Sequence, residues 1–569
     1  RPEGYRMVVY APEAEVVRRI FNEFAAGTAI TAIVKSLNAD RVPGRRVAAH
    51  GWTPSTISRI LKNEKYTGRW VWNRTETRRD PLTGRKRRVP KPESEWLIDE
   101  NAKPGTDAWP VPDQPALWSR IRGYATTTSV NRGATFDLRV STAAPEWRVE
   151  ALRMGWYGGV GARMVWQSES LKGVEQPAAV LNPAVGTWTA PWDTSVQITA
   201  DGSWPPGMYL LKLVSSDGGM SYVPMVVRDD DSTAALLIQS SVTTWQAYNE
   251  WGGKSLYDDV RTGNRGRADV VTFDRPYYRN GSGEYFGRES DMVMFVERLG
   301  LDVTYWTDLD LHARPHKAAE HRAVISQGHD EYYSTSMRRG LEAARDLGVN
   351  LAFIGANGCF RKIRMEPNDA GEDRLQVNYR SAARDPITRS DPSEATVSWR
   401  QSPSNDPESS LIGNLYESNP VAGDMRITNA ENWMFEGSGL RNGDVLPGLI
   451  GNEYDRVQPE HPTPHDIEVM CHSPVVCKGR PTFADVTWYT ADSGAGVFAV
   501  GTFEWVKRLG PDTSARTPSA ADPQAALQKV TQNVFEVLAA GPAGHTHPAR
   551  RNLEQLGIVP GYVEDPPST

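Results

Sequence analysis

Residues 326–334, SQGHDEYYS, gather one histidine, two adjacent acids and two tyrosines between an apolar run and a helix-like segment. Two more polar clusters follow apolar runs of the same kind. VTTWQAYNEWGGKSLYDD comes after LLIQSS, and ANGCFRKIR comes after LAFIG. Histidine and carboxylate are the side chains of proton transfer, and tyrosine and glutamate offer oxygen donors. The sequence has no G-x-S-x-G elbow, no H-E-x-x-H and no Walker loop, so the commonest hydrolase and nucleotide-binding signatures are missing. Cys359 of GANGCF stands outside the G-x-C-x-G setting of a glutaminase. What remains is tyrosine, glutamate, histidine and asparagine. Oxygen ligation by phenolate and carboxylate suits a hard, highly charged ion, ferric iron rather than zinc, and such an ion activates water and polarises a carbonyl. Any one cluster also reads as a satisfied polar turn; three at corresponding strand ends favour a site. In GLIGNEYDRV, Glu453 and Asp455 are expected in a structural ion pair with Arg456 rather than as a general base.

The elements that would position these residues are legible. AALLIQSS, RAVISQG and VNLAFIGAN are apolar without alternation, and STSMRRGLEAARDLG has a helical stripe of Met337, Leu341, Ala344 and Leu347 behind an N-cap at Ser334. Continuous apolar strands joined through helices indicate a parallel sheet covered on both faces, whose ligands bind beyond the carboxyl ends of the strands. Upstream, TFDLRVS, WRVEALRMGWY, SVQITA, MYLLKLVSS and SYVPMVVRD alternate between Gly and Pro turns, which predicts a β-sandwich. The proline-rich NAKPGTDAWPVPDQPALW reads as a linker before it.

A chain of 569 residues predicts two to four domains. No run of eighteen apolar residues predicts a membrane span. The N-terminus shows neither an initiator Met nor a signal peptide and reads as cut from a longer chain, with the cytoplasm as the expected compartment. Three cysteines are too few for a disulfide framework, and Cys471 and Cys477 are expected reduced. The net charge of −6 is uneven. The first hundred residues hold 20 Lys and Arg against 12 Asp and Glu, so the acidic excess lies in the remainder. A basic head favours a polyanionic partner.

That head has helical periodicity at Val16, Ile20 and Phe24, then Ile30, Ile33 and Leu37 after a break at Gly27. In WTPSTISRILK, Thr53 can cap a helix that opens at Pro54 and carries Ser55, Thr56, Arg59 and Lys62; the basic run RKRRVPK follows. Helix, turn and helix with cationic flanks is a duplex-DNA-binding arrangement, its hydroxyls and cations holding phosphates.

These head motifs, PEAEVVRRIFNEFAAGTAITAIVKSLNADRVP, WTPSTISRILKNEKYTGRWVWNRT and DPLTGRKRRVPKPESEW, resemble the recombinase domain of serine site-specific recombinases over about residues 1–97. In that family the catalytic serine lies in a separate upstream domain, so the resemblance implies DNA contacts without strand cutting. RGYATTTSVNRGATFDLRVST, RMGWYGG, TWQAYNEWGGKSLYD, GHDEYYSTSMRRGL and FIGANGCFRKIR resemble the large (beta) subunit of N,N-dimethylformamidase and its family, over about 101–548. That resemblance implies a glutamine-amidotransferase-like α/β domain without its cysteine nucleophile, and hydrolysis of a small amide by one mononuclear ferric ion. Carried over by position, it implies Tyr248, Tyr257 and Glu331 as metal ligands, His329 orienting substrate or water, and Asn357 hydrogen-bonding the amide or its oxyanion; Tyr332 and Tyr333 fall to packing. It departs at Phe360 and Arg361, where the family pattern has Tyr-Trp, so the pocket wall differs. A small partner subunit or a homo-oligomer is also implied.

The expected whole is a multidomain α+β and α/β chain: a recombinase-like helical domain (1–97), a linker (98–118), a β-sandwich (119–230), an amidotransferase-like α/β domain with a mainly parallel sheet (231–548) and a tail (549–569). The alternatives are a DNA-binding recombinase fragment fused to a catalytically inert body, and a fusion with no joint function.

Overall fold

The computed structural model describes residues 11–25, 27–40, 42, 51–62, 71–72, 75–79, 86–90, 97–98, 100–259, 266–511 and 523–559. The chain divides into two compact units, residues 1–103 and 104–569, and is a mixed α+β protein with several sheets.

In the first unit, helices Ala11–Ala25, Ile30–Ala39 and Pro54–Leu61 close around Ile20, Ile33, Leu37, Trp52 and Ile57. Thr53 caps the third helix by accepting from the Thr56 N–H, with Pro54 in its first turn. Phe24, expected on the apolar face, is 47% exposed. The first helix ends at Ala25 and Gly27 turns the chain at φ +88°, which leaves the last turn beyond the small core. Strands Thr75–Arg79 and Lys86–Pro90 pair antiparallel; Arg85 and Lys91 of the basic run lie outside the described residues.

The second unit opens with two sheets over one core. One runs in the order Leu171–Lys172, Glu146–Met154, Gly207–Ser215, Met220–Arg228, Ser129–Asn131, and the other in the order Val196–Thr199, Thr135–Thr142, Ile121–Ala125. Phe136, Leu138, Val149, Tyr209, Leu211 and Leu213 fill the space between them. The strand Gly207–Ser215 is buried almost throughout instead of alternating wet and dry. Its other face, Met208 and Leu210, joins the core of the following α/β layers with Leu236, Ile238 and Val293. A buried ion pair, Arg153 to Glu297 at 2.6 Å, joins the strand Glu146–Met154 to the helix Ser290–Leu299.

The α/β part is built on a seven-stranded sheet. Its order is Val303–Thr307, Leu236–Ser240, Ala323–Gly328, Asn350–Gly355, Gly496–Ala499, Arg480–Thr490, Glu468–Cys477. The first five strands are parallel, and Arg480–Thr490 pairs antiparallel with both Gly496–Ala499 and Glu468–Cys477. The three apolar runs singled out in the sequence are neighbours at its centre. Helix Thr335–Asp346 follows the second of them, with Ser334 accepting from the Met337 N–H at 3.2 Å. Met337, Leu341 and Ala344 are buried, whereas Leu347 caps the helix and is 74% exposed, so the apolar stripe is one turn shorter than its sequence suggested.

A second sheet, Val270–Thr272, Gly371–Val377, Arg361–Asn368, Tyr332–Ser334, lies beside the rim of the first. Tyr332–Ser334 is therefore itself a strand, parallel to Arg361–Asn368, with Tyr332 opposite Arg361. All three cysteines are buried and free. Among the described residues no helix is long and apolar enough to cross a membrane.

Candidate functional site

The five residues predicted for the α/β site meet at the carboxyl ends of the three central strands. Strand Leu236–Ser240 runs into helix Val242–Tyr248, which ends on Tyr248. The chain then turns through Trp251–Gly253 and returns, the Leu256 N–H donating to the Ala247 carbonyl at 2.9 Å. That return brings Tyr257 onto Tyr248, ring centroids 4.2 Å apart and nearly parallel, so the short spacing between the tyrosines is closed by one tight loop. Both hydroxyls donate to Glu331: Tyr248 to Oε2 at 3.1 Å, Tyr257 to Oε1 at 2.8 Å and Oε2 at 2.6 Å. Glu331 follows strand Ala323–Gly328, and its N–H is held by Thr244 Oγ1 at 3.0 Å.

His329 packs between Tyr248 (5.3 Å) and Phe503 (4.6 Å). Its Nε2 stands 3.4 Å from Glu331 Oε2 and 3.7 Å from Glu453 Oε2 and makes no hydrogen bond. Asn357 follows strand Asn350–Gly355 in the left-handed region, φ +57°, which asparagine tolerates better than most residues. Its N–H donates to Asp455 Oδ1 at 2.8 Å, and its Oδ1 is buried without a partner. Buried polar groups are ordinarily satisfied. Three such atoms, His329 Nε2, Asn357 Oδ1 and Glu453 Oε2, make no hydrogen bond here, although His329 Nε2 stays within ion-pair range of both carboxylates.

The ion pair expected for Glu453 and Asp455 is not formed. Arg456 bonds Glu417 instead, because residues alternate faces along the strand Val445–Arg456 and Arg456 points away from Asp455. Asp455 holds Asn357, and Glu453 faces His329 while accepting from Asn419 at 3.0 Å. Glu453 is thus part of the site, which the sequence reading had set aside. Period-two alternation could have excluded the Arg456 pairing, though not located Glu453 beside His329.

Electrostatics fit the geometry. Burial opposes ionisation of Glu331, but His329, Arg361 and the Tyr257 hydroxyl overcome it and hold the carboxyl at about 2. Burial and the Glu331 charge push both phenols well above their ordinary range, so in the metal-free protein they are neutral donors to one carboxylate. Burial, reinforced by the nearby Glu331 charge and opposed by His329, raises Glu453, and burial pushes Asp455 up to about 7. Cys359 is fully buried, and burial raises its thiol far from a reactive range. Tyr332 and Tyr333 are fully buried and donate elsewhere or accept, Tyr333 to Asp330 at 2.6 Å and Tyr332 from Arg380 at 3.0 Å.

Among the described residues no group of three or more His, Cys, Asp and Glu is arranged to hold a metal ion. The present set takes two of its three donors from tyrosine. Three oxygens drawn together by shared phenol protons, ringed by unpartnered polar atoms, suit a hard cation that would displace those protons. A cavity of about 780 Å³ lies elsewhere, along Thr187, Val270, Leu375 and Arg364, and contains none of the five residues. Convergence of donors, not hollow volume, marks the candidate site.

In the first unit, Ser55, Arg59 and Lys62 are exposed along one side of helix Pro54–Leu61 and its cap, opposite buried Ile57. Thr53 and Thr56 are half-buried and bond each other at 2.9 Å, so their hydroxyls serve the cap.

Residues 148–518 match the family described as N,N-dimethylformamidase beta subunit-like, C-terminal, and residues 11–108 match the Recombinase family. No protein of curated function matches the chain. Among solved structures, domain 1 of VCBP3 from Branchiostoma floridae aligns at 15% identity, covering 19% of this chain and 94% of that one, with a TM-score of 0.12.

Proposed function

The chain belongs to the N,N-dimethylformamidase beta subunit-like family, and from that premise we propose that it is an amidohydrolase that splits the C–N bond of a small linear amide at a mononuclear ferric site. The observation that carries the reading is the convergence of Tyr248 and Tyr257 on Glu331, within hydrogen-bond distance and beside His329, Asn357 and Glu453. Tyr248, Tyr257 and Glu331 are the proposed ligands; the ion they would hold supplies an activated water and polarises the amide carbonyl. Glu453, its carboxyl raised above its ordinary value by burial, takes a proton as the water oxygen bonds the carbonyl carbon, and returns it to the leaving nitrogen as the C–N bond breaks. His329 sits between the two carboxylates and orients the water. Asn357 offers its amide to the substrate, its backbone fixed by Asp455. Phe503 and the stacked tyrosines wall the site.

The two sheets over one core support a β-sandwich at 119–230, and five parallel strands with the site at their carboxyl ends support an amidotransferase-like domain at 231–548. A small partner subunit or self-association remains part of the reading.

The test is metal content and colour. The purified full chain is expected to hold near-stoichiometric iron with a visible tyrosinate-to-iron absorption band, lost in Glu331→Ala and kept in Tyr332→Phe. A folded, colourless, iron-free protein that takes up no ferric ion sinks it.

A second reading concerns the first unit, where the exposed Ser55, Arg59 and Lys62 and the Recombinase match favour contact with duplex DNA. Affinity is expected to fall steeply with salt, and Arg59→Ala to weaken it across sequences alike. No binding even at low salt rejects this reading.

A further inference from the structure

Three guanidiniums lie against Glu331, the Tyr257 ring and the Phe360 ring, and their hydrogen bonds separate them. Arg400 is tied to Glu408 at 3.1 and 2.5 Å and to the Tyr416 carbonyl at 2.8 Å. Arg380 donates to the Tyr332 hydroxyl at 3.0 Å and to Asn378 at 3.2 Å, and lies 4.2 Å over the Tyr257 ring. Arg361 differs. Its Nη1 donates to Ser398 at 3.2 Å, but its Nε is buried without a hydrogen-bond partner, 3.5 Å from Glu331 Oε1. Of these three side chains it alone keeps a buried N–H of that kind.

The position of Arg361 is not accidental slack. Its backbone N–H donates to the Glu331 carbonyl at 2.8 Å, and its strand pairs with Tyr332–Ser334, so the two charged residues are fixed by one ladder. Its guanidinium lies 4.4 Å over the Phe360 ring, which also meets Arg400 at 5.1 Å and Tyr416 at 5.2 Å. The side chain is 19% exposed, enough to reach an entering molecule. Glu331 also has two phenol donors and His329 beside it, so Arg361 is one of several groups that balance its charge. A planar guanidinium with a partly exposed end is the side chain best suited to a second carboxylate.

We propose that Arg361 is a specificity-determining residue that binds a carboxylate carried by the substrate, so that the preferred substrates are short amido acids rather than neutral amides. This rests on the amidohydrolase reading above. A hydrogen bond of about 2.9 Å from the exposed end of the guanidinium would hold that carboxylate beside the tyrosine–glutamate cluster. The chemistry is unchanged: water adds to the carbonyl, the C–N bond breaks, and a carboxylic acid and an amine leave.

The experiment compares N-formylglycine with its neutral methyl ester on the iron-loaded full chain. The acid is expected to be favoured in kcat/KM on the order of a hundredfold, mostly through KM. The acid-to-ester ratio falls to near one in Arg361→Gln and to an intermediate value in Arg361→Lys, which keeps the charge but loses the planar edge. Thermal melting checks that both variants are folded. Equal use of acid and ester by the parent, or a ratio that Arg361→Gln leaves in place, overturns the assignment while the hydrolase reading stands. If neither compound is hydrolysed, calorimetric titration decides the pocket. Binding of N-formylglycine that Arg361→Gln abolishes upholds carboxylate recognition; no binding overturns it.

Discussion

Replacing Glu331 by glutamine in the metal-stripped protein tests the charge arrangement of the site. The carboxylate is almost fully buried, accepts from both tyrosine hydroxyls, and has Arg361 at 3.5 Å and His329 at 3.4 Å. Burial alone would favour the neutral acid; His329, Arg361 and Tyr257 outweigh it and hold the group at about 2 rather than 4.5. At about 1.4 kcal/mol for each tenfold change, that displacement corresponds to about 3 kcal/mol of folding free energy carried by the ionised form. Because the folded-state value is depressed, the contribution is complete above the unfolded value near 4.5 and is lost as pH falls toward 2. Glu331→Gln is therefore expected to unfold about 3 kcal/mol more easily at pH 7. The gap from the parent narrows by about 1 kcal/mol at pH 3.5, where the unfolded carboxyl is already protonated. Urea denaturation followed by tryptophan fluorescence measures both, with iron removed because a ligand bound to the folded state adds its own pH dependence. Equal stability at pH 7, or a gap that ignores pH, refutes the arrangement.

Two other outcomes follow from the same surroundings. Asp455 is pushed up to about 7 by burial, against the pull of the Asn357 N–H it accepts. A raised folded value means that its contribution is present in acid and lost as pH rises through 7. Asp455→Asn, which keeps the acceptor and cannot ionise, is expected to melt higher than the parent at pH 8.5, the difference vanishing below pH 4; a lower melting temperature at pH 8.5 contradicts this. Glu453→Gln is expected to lower kcat by about 10²- to 10⁴-fold and to remove the pH-dependent limb that its carboxyl sets, while iron content stays unchanged. Loss of iron in that variant would make Glu453 a ligand and not a base.

The parts of the fold legible in the sequence are those fixed by local pattern. Leu236–Ser240, Ala323–Gly328 and Asn350–Gly355 are apolar on both faces, and that alone marks central parallel strands. Ser334 caps its helix as its type and place require. Pattern failed where tertiary contact decides. The strand Gly207–Ser215 meets a second core, so Met208 and Leu210 are dry where alternation suggested water. Leu347 and Phe24 continue a helical stripe that the packing does not use, because the helices end before them or the core beneath has run out.

The candidate site divides along the same line. Glu331, His329 and Asn357 stand just beyond strand ends, so the rule that ligands gather there reaches all three. Glu453 comes from a hairpin strand more than a hundred residues away, and nothing in GLIGNEYDRV reveals that it returns to His329. What was legible is the negative half of that statement. In a strand, residues 453 and 455 share a face that 456 does not, so the nearest cation in sequence could not pair with either acid. Two buried acids deprived of their apparent partner must find another. Asp455 finds the Asn357 backbone, and Glu453, short of a full complement, keeps one oxygen turned on the histidine. Alternation thus converts a presumed structural ion pair into a requirement for a site.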